Sequence, residues 1–313
     1  MSQYTAVIDI GSNSVRLVIY KSRNKHEFHI AYEDKFKVRI GEGAYLRNGY
    51  LQQESMQRAY DSLQTFVLAL KQYPISKIVS VATSALRDAP NQLKFIEWIK
   101  KDFHIKIEVI SGKEEARLGA LAALYLLPID NAITIDIGGG SADLAIIKNS
   151  KIVDTYSLNL GTVRLKELFS QQNTSTVEIN DYIQNELASL PAHFTSTNAI
   201  GIGGTARTLS KAIMYFKGSK KKNIHNFRYN IKRYQDFFEK IINSSNTLHK
   251  ELKISKNRID TISEGTLIWK NILERIEAKN VISSAVGLRE GLFLEHIFKD
   301  NLKEGVTFTP LTD

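Results

Sequence analysis

The chain contains no cysteine. That excludes disulfides, zinc–thiolate sites and thiol nucleophiles. Long apolar runs are also missing: the longest, Leu118–Leu127, is too short to span a bilayer and directly follows Arg117. The seven histidines are scattered, with no pair at metal-ligand spacing and no His-Asp dipeptide. This argues against a metal-dependent phosphohydrolase of the histidine–aspartate type. No Walker A pattern and no GxSxG elbow occurs. The opening MSQYTAVIDIG enters a strand pattern with no basic-then-apolar leader, so a cytoplasmic protein without membrane association is expected.

What is present is an ordinary globular composition, 43% hydrophobic and 24% charged, over 313 residues. That length suffices for two domains with sizeable cores. The net charge of +9 can attract a polyanion or simply favour solubility. The densest basic cluster, Lys217, Lys220, Lys221 and Lys222, reads as a solvated mobile loop within 217–226.

One thirteen-residue pattern occurs twice. Residues 8–20 read IDIGSNSVRLVIY and residues 135–147 read IDIGGGSADLAII, identical at seven positions and 127 residues apart. Each copy is a β-rich run ending in Asp, a turn of small residues and a second β-rich run, the pattern of a hairpin. At one register Arg16 is replaced by Asp143. Two related hairpins imply a duplicated domain with a shared cleft. The charge swap suggests phosphate on one lip and a metal on the other.

The turns carry the chemistry. In Gly138-Gly139-Gly140-Ser141, successive N–H groups can form an anion nest. Asp136 at the preceding strand end can hold a divalent cation. Gly11-Ser12-Asn13-Ser14 adds side-chain hydrogen bonds to phosphate oxygens, and Arg16 can reach the same anion with a bidentate fork. A third turn, Gly201-Ile202-Gly203-Gly204-Thr205-Ala206-Arg207, leads from a strand into a helix N-terminus, another anion site. It matches GxGxxA only superficially, since no acidic residue follows about 20 residues on. Its counterpart in the first half is Val81–Arg87, with Thr83, Ser84 and Arg87. Glu114 and Glu115 follow Ser111 at a helix start. One of them completes a capping box with Ser111. The other is free to face the cleft as a base for an attacking water.

Around these motifs the periodicity predicts strands at 4–10, 14–20, 26–40 (EFHIAYE and FKVRI), 77–82, 106–110, 132–137, 142–147, 151–158 and 199–203. It predicts helices over 52–72, 91–101, 114–126, 162–170, 178–190, 205–215, 231–244, 255–278 and 287–299. Strands followed by helices in both halves point to a two-domain α/β fold.

Six segments together, DIGSNSVRL (9–17), ATSALRDA (82–89), ISGKEEARL (110–118), IDIGGGSADL (135–144), GIGGTARTL (201–209) and VGLREGL (286–292), resemble the exopolyphosphatase / guanosine pentaphosphate phosphohydrolase family. The resemblance implies two duplicated ribonuclease-H-like domains, as in actin, sugar kinases and heat-shock chaperones, with an interdomain cleft. By the same analogy the domains are 1–127 plus about 287–313, and 128–286. It implies Glu115 as general base, and Asp136 with Asp143 handling Mg²⁺, or Mn²⁺ in its place. It also implies phosphate contacts from residues 11–14, 138–141 and 203–205, and from Arg16 and Arg87. The expected substrates are inorganic polyphosphate or guanosine pentaphosphate, and the expected partner is a second copy of the chain, with no specific nucleic acid. Two departures stand out. The family usually has Glu where this chain has Asp143, and long members add a C-terminal helical domain that is not expected here. A kinase of the actin type, with adenine near the Gly203 turn, and a non-catalytic polyphosphate sensor are the readings from other classes.

Overall fold

The computed structural model describes residues 3–23, 27–170, 176–220, 223–244, 246–297 and 307–309. Each copy of the repeated pattern opens a sheet. In the first, β1 (Gln3–Ile10) and β2 (Val15–Ser22) form an antiparallel hairpin extended by β3 (Glu27–Phe36). β4 (Ile75–Ala82) and β5 (Ile107–Val109) join the other side in parallel. In the second, β6 (Ala132–Ile137), β7 (Ala142–Lys148) and β8 (Lys151–Leu158) repeat the antiparallel run. β9 (Asn198–Ile202) then lies parallel to β6. Beyond it, β10 (Arg228–Asn230) pairs antiparallel with β11 (Asn280–Ser283), which runs parallel to β9. β12 (Thr307–Thr309) pairs with β3. The orders β12-β3-β2-β1-β4-β5 and β10-β11-β9-β6-β7-β8 share five strands in the same order and sense. This is the ribonuclease-H-like arrangement, present twice.

The helices are α1 (Gln53–Leu70), the single turn α2 (Ser84–Arg87), α3 (Gln92–Phe103), α4 (Gly112–Leu126), α5 (Thr162–Ser170), α6 (Thr176–Ala188), α7 (Gly203–Phe216), α8 (Gln235–Ile242), α9 (Asn246–Glu251), α10 (Ile262–Arg275) and α11 (Leu288–Ile297). Met56, Leu63 and Phe66 of α1 and Phe95 of α3 cover one face of the first sheet. Leu292, Phe293 and Leu294 of α11 cover the other, over Val7, Val18 and Tyr20. The core of the second half gathers around Trp269 of α10. Between the halves lies α4. Its Leu118 joins the first-sheet cluster, while Ala116, Ala120 and Ala123 pack on Ala145, Ile147 and Ile200 of the second. Small side chains let both neighbours approach closely. A Cβ on Gly291 of α11 would come within 2.0 Å of the Leu118 carbonyl oxygen. α4 thus carries its first turn to the junction of the two sheets.

Four expectations need correction. Of FKVRI (36–40), only Phe36 is in a strand, as the last residue of β3. Hydrogen bonds from Arg39 N–H to the Asn13 carbonyl and from Gly41 N–H to the Ser12 carbonyl fold the rest onto the first glycine turn, with Arg39 at φ +49°. The expected helix 255–278 begins only at Ile262, because 255–261 closes into turns on the Ser255 and Arg258 carbonyls. The helix expected at 231–244 is a 3₁₀ turn, Ile231–Tyr234, followed by α8. The edge strands β10 and β12, and β11 beside β10, were not anticipated. Of the expected mobile loop, Lys221 and Lys222 lie outside the described residues. Among the described residues no helix is long and apolar enough to cross a membrane.

Candidate active site

Both hairpin turns are closed by the same backbone bond, Gly11 N–H to the Ser14 carbonyl at 3.1 Å and Gly138 N–H to the Ser141 carbonyl at 2.9 Å. The turns meet across the junction. A Cβ on Gly139 would lie 2.7 Å from Ser12 Cβ and 3.4 Å from the Asn13 nitrogen, so glycine is required for this approach. The Ser12 and Ser84 hydroxyls, 2.8 Å apart, tie the first turn to the β4–α2 turn. The cleft between them, of about 750 Å³, is lined by residues 11–14, Arg16, Thr83, Ser84, Gly138, Gly139, Gly203 and Gly204. Gly203 has φ +72°, and a Cβ there would sit 1.9 Å from Asp136 Oδ1. α7 begins at this glycine without a side-chain cap, so its first N–H groups and its dipole are free to meet an anion.

One wall is acidic. Ser111 Oγ accepts the Glu114 N–H at 3.1 Å, but the Glu114 carboxylate turns outward to Arg117 at 2.6 Å. Only half of the expected capping box therefore forms, because an arginine one turn along offers a stronger partner. Glu115 turns into the cleft, with 13% of its side chain exposed. Arg87 donates to Glu115 Oε2 at 3.3 Å and to the Ile110 carbonyl at 3.2 Å. Burial pushes the Glu115 carboxyl well above the usual range, Asp143 adds to the effect, and Arg87 opposes it. Asp136 and Asp143 stand directly opposite each other on β6 and β7, as Asp9 and Arg16 do on β1 and β2. Asp136 lines the cleft and is raised mainly by burial. Asp143 stands behind it, 2% exposed, accepting from Ser141 Oγ at 2.9 Å and Ser157 Oγ at 2.5 Å. Burial lifts Asp143 to about 7, against the two hydroxyl bonds.

Like charges directly opposite each other are unfavourable unless something offsets them. Among the described residues no group of three His, Asp or Glu is assembled for a metal. Mg²⁺, however, is commonly held by one or two carboxylates together with substrate phosphates and water. Asp136 on the cleft wall, backed by Asp143, fits that kind of site.

Cations line the same cleft. Arg16, Arg207, Arg258 and Arg289 line the cleft. Burial lowers Arg16 to about 9, with Arg289 and Arg207 adding to the effect. Arg207 and Arg258 are likewise lowered, first by burial. Arg289 is buried too, but Glu290 and Asp9 outweigh that and hold it charged; its Nη1 lies 3.1 Å from Asp9 Oδ2. Lys35 is paired with Arg16 across β2 and β3, and burial with Arg16 and Arg258 brings it down to about 7. Arginine does not give up its proton in proteins, so this crowding persists as a demand for an anion.

Five of the predicted site residues do not line the cleft. Gly140 packs against the Tyr45 hydroxyl and Ser84. Ser141 and Asp143 hold each other behind the wall. Thr205 is buried, donating to the Ile137 carbonyl at 3.4 Å. Arg87 reaches Glu115 rather than the open cleft. Four charged lining residues were missed: Asp9, Arg207, Arg258 and Arg289. Asp9 was legible as the first-copy equivalent of Asp136, and Arg207 and Arg289 lie inside quoted motifs. Arg258 had no signal.

Two ribonuclease-H-like halves with glycine turns meeting over an anion cleft define the class, the superfamily of actin, sugar kinases and heat-shock chaperones. Within it, the profile of the Ppx/GppA phosphatase family matches residues 18–299. The chain belongs to that family. It is 30% identical over 312 residues to the bifunctional 3-dehydroquinate synthase/phosphatase of Fusobacterium nucleatum, covering 93% of the chain and 46% of that protein. It is 28% identical to the guanosine-5'-triphosphate,3'-diphosphate pyrophosphatase of Pseudoalteromonas atlantica, covering 92% and 57%. The chain spans about half the length of these curated relatives. A solved Ppx/GppA family member from Aquifex aeolicus superposes with TM-score 0.79 at 26% identity, over 96% of this chain and 99% of that one. An exopolyphosphatase from Cytophaga hutchinsonii, 23% identical, shares the fold with TM-score 0.87 over 96% and 100%.

Proposed function

We propose that the chain releases the terminal phosphate of inorganic polyphosphate by hydrolysis. The carrying observation is one cleft lined both by the largely buried carboxylate of Glu115 and by four arginines. The terminal phosphates lie against the turns at 11–14 and 138–139 and the start of α7, with the arginines supplying charged forks. Glu115, oriented by Arg87, takes the proton of a water attacking phosphorus in line with the leaving chain. Its raised pKa makes Glu115 a stronger base than an ordinary carboxylate. The rate then rises with pH through that raised value. Asp136, backed by Asp143, would hold Mg²⁺ or Mn²⁺, which offsets the charge of the phosphates.

The second reading is removal of the 5′-terminal phosphate of guanosine pentaphosphate, suggested by the name of the Pseudoalteromonas relative. Against it, no aromatic ring lines the cleft among the described residues, which offer guanine no stacking platform there. Phosphate release from polyphosphate, guanosine pentaphosphate and ATP, compared side by side with Mg²⁺ and with Mn²⁺, tests the assignment. Polyphosphate is expected to be fastest. Faster release from guanosine pentaphosphate would move the assignment to the nucleotide. Phosphate transfer from ATP to an acceptor would make the protein a kinase, and release from none would make it a sensor.

A further inference from the structure

The net charge of the chain is not spread over it. Residues 211–258 hold thirteen Lys and Arg against three Asp and Glu, a surplus of ten where the whole chain has nine. The remainder is therefore close to neutral. The described lysines of this stretch are exposed. Among the described residues Lys217, Lys220, Lys253 and Lys256 have no carboxylate partner; the ion pairs nearest in sequence join Glu239 to Lys270 and Asp260 to Lys37 and Arg39. Two of them rest on rings instead, Lys217 over Tyr234 at 5.5 Å and Lys253 over Tyr215 at 5.8 Å.

Two contacts give this surface a direction. Arg258 packs onto Gly204 at the first turn of α7, where it lines the cleft. Lys253 lies over Tyr215 near the last turn of the same helix. Gly204 and Tyr215 are separated by roughly 16 Å of helix rise. The segment 253–258 makes these two contacts at its ends through long side chains, with a turn between them where the Arg258 N–H bonds to the Ser255 carbonyl. It therefore runs back along α7 from the far end to the cleft. Arg258, Lys256 and Lys253, followed by Lys217 and Lys220, form one line of positive charge leading out of the cleft.

We propose that this line is a track for the distal part of a linear polyanion whose end occupies the cleft, namely a long polyphosphate chain. The proposal rests on the polyphosphate reading of the cleft. The track adds affinity through phosphate neutralisation and counterion release, so its contribution is salt-dependent. A short substrate fills the cleft without reaching it.

The test compares wild type with the variant Lys217→Gln/Lys220→Gln/Lys253→Gln/Lys256→Gln, leaving Arg258 in place. Direct binding is measured with long-chain polyphosphate, with tripolyphosphate and with a single-stranded RNA, over a range of salt. The variant is expected to lose about tenfold or more in long-chain affinity, and its log–log salt slope to fall by about three. Tripolyphosphate binding and turnover should stay within about twofold, and a fourfold Lys→Arg variant should keep long-chain affinity, as charge rather than shape is at work. Unchanged long-chain affinity and slope, or equal weakening of tripolyphosphate, would overturn the track. Wild-type RNA binding as tight as long-chain polyphosphate, and weakened by the same variant, would overturn it in favour of a nucleic-acid surface; the exposed rings of Tyr215 and Phe216, 52% and 62% accessible, would then be the stacking platforms. Long-chain binding that needs the four lysines, without phosphate release, would uphold the track and refute hydrolysis.

Discussion

Lys35 is a cation placed among cations. Burial, then Arg16, Arg258, Arg289 and Arg207, bring its pKa from 10.5 to about 7. The folded state therefore binds fewer protons than the unfolded chain between pH 7 and 10.5. Stability from this group is lowest below pH 7 and rises with pH across that window. An anion in the cleft reverses the preference and draws the proton back. Tripolyphosphate binding at pH 8.5 should thus take up roughly one proton, read by calorimetry in buffers of different ionisation enthalpy, and affinity should fall as pH rises from 7, where a terminal phosphate is already charged. Lys35→Met should abolish the uptake and flatten the profile. Equal proton uptake in the variant would place the titration elsewhere.

At the level of elements, the apposed glycine turns decide the site. Gly139→Ala drives a methyl to 2.7 Å from Ser12 Cβ. Overpacking of this kind costs about 1–3 kcal/mol. A Cβ on Gly138 meets nothing closer than 3.5 Å. Urea denaturation should therefore separate the two alanine variants, Gly139→Ala losing stability and Gly138→Ala staying within about 0.5 kcal/mol of wild type. Similar losses in both would mean that the turns do not bear on one another. These turns were legible in the sequence because the whole hairpin is repeated, with turn, charge and strand periodicity in register. FKVRI was misread because alternation cannot register a long-range backbone bond, and Arg39 and Gly41 are held by Asn13 and Ser12. β10 and β11, three and four residues long, are too short to show a period.

At the scale of the molecule, the cleft exists only because two halves are held together. Asp260 of the second half accepts from Lys37 at 3.1 Å and pairs with Arg39, both of the first. Arg164 reaches across to Asp88 at 2.6 Å. Partly exposed pairs of this kind contribute up to about 1 kcal/mol each. Asp260→Asn should raise KM for polyphosphate about two- to fivefold with kcat little changed, and more at low salt than at high. An unchanged KM would remove this clasp from substrate binding. Whole-molecule proximity is also why Arg258 was invisible: its chain neighbours fold as turns, and only packing onto Gly204 brings it to the cleft. Glu115, by contrast, was legible, because one of two adjacent glutamates sufficed for the helix start and the other had to face elsewhere.

Glu115 is the proposed base, and Glu115→Gln keeps its size and one acceptor while removing the charge. Phosphate release and polyphosphate binding measured on one preparation of this variant is the most direct test. Release should fall by a factor of about 10² or more while affinity for polyphosphate is kept or slightly raised. Release at the wild-type rate would contradict that role.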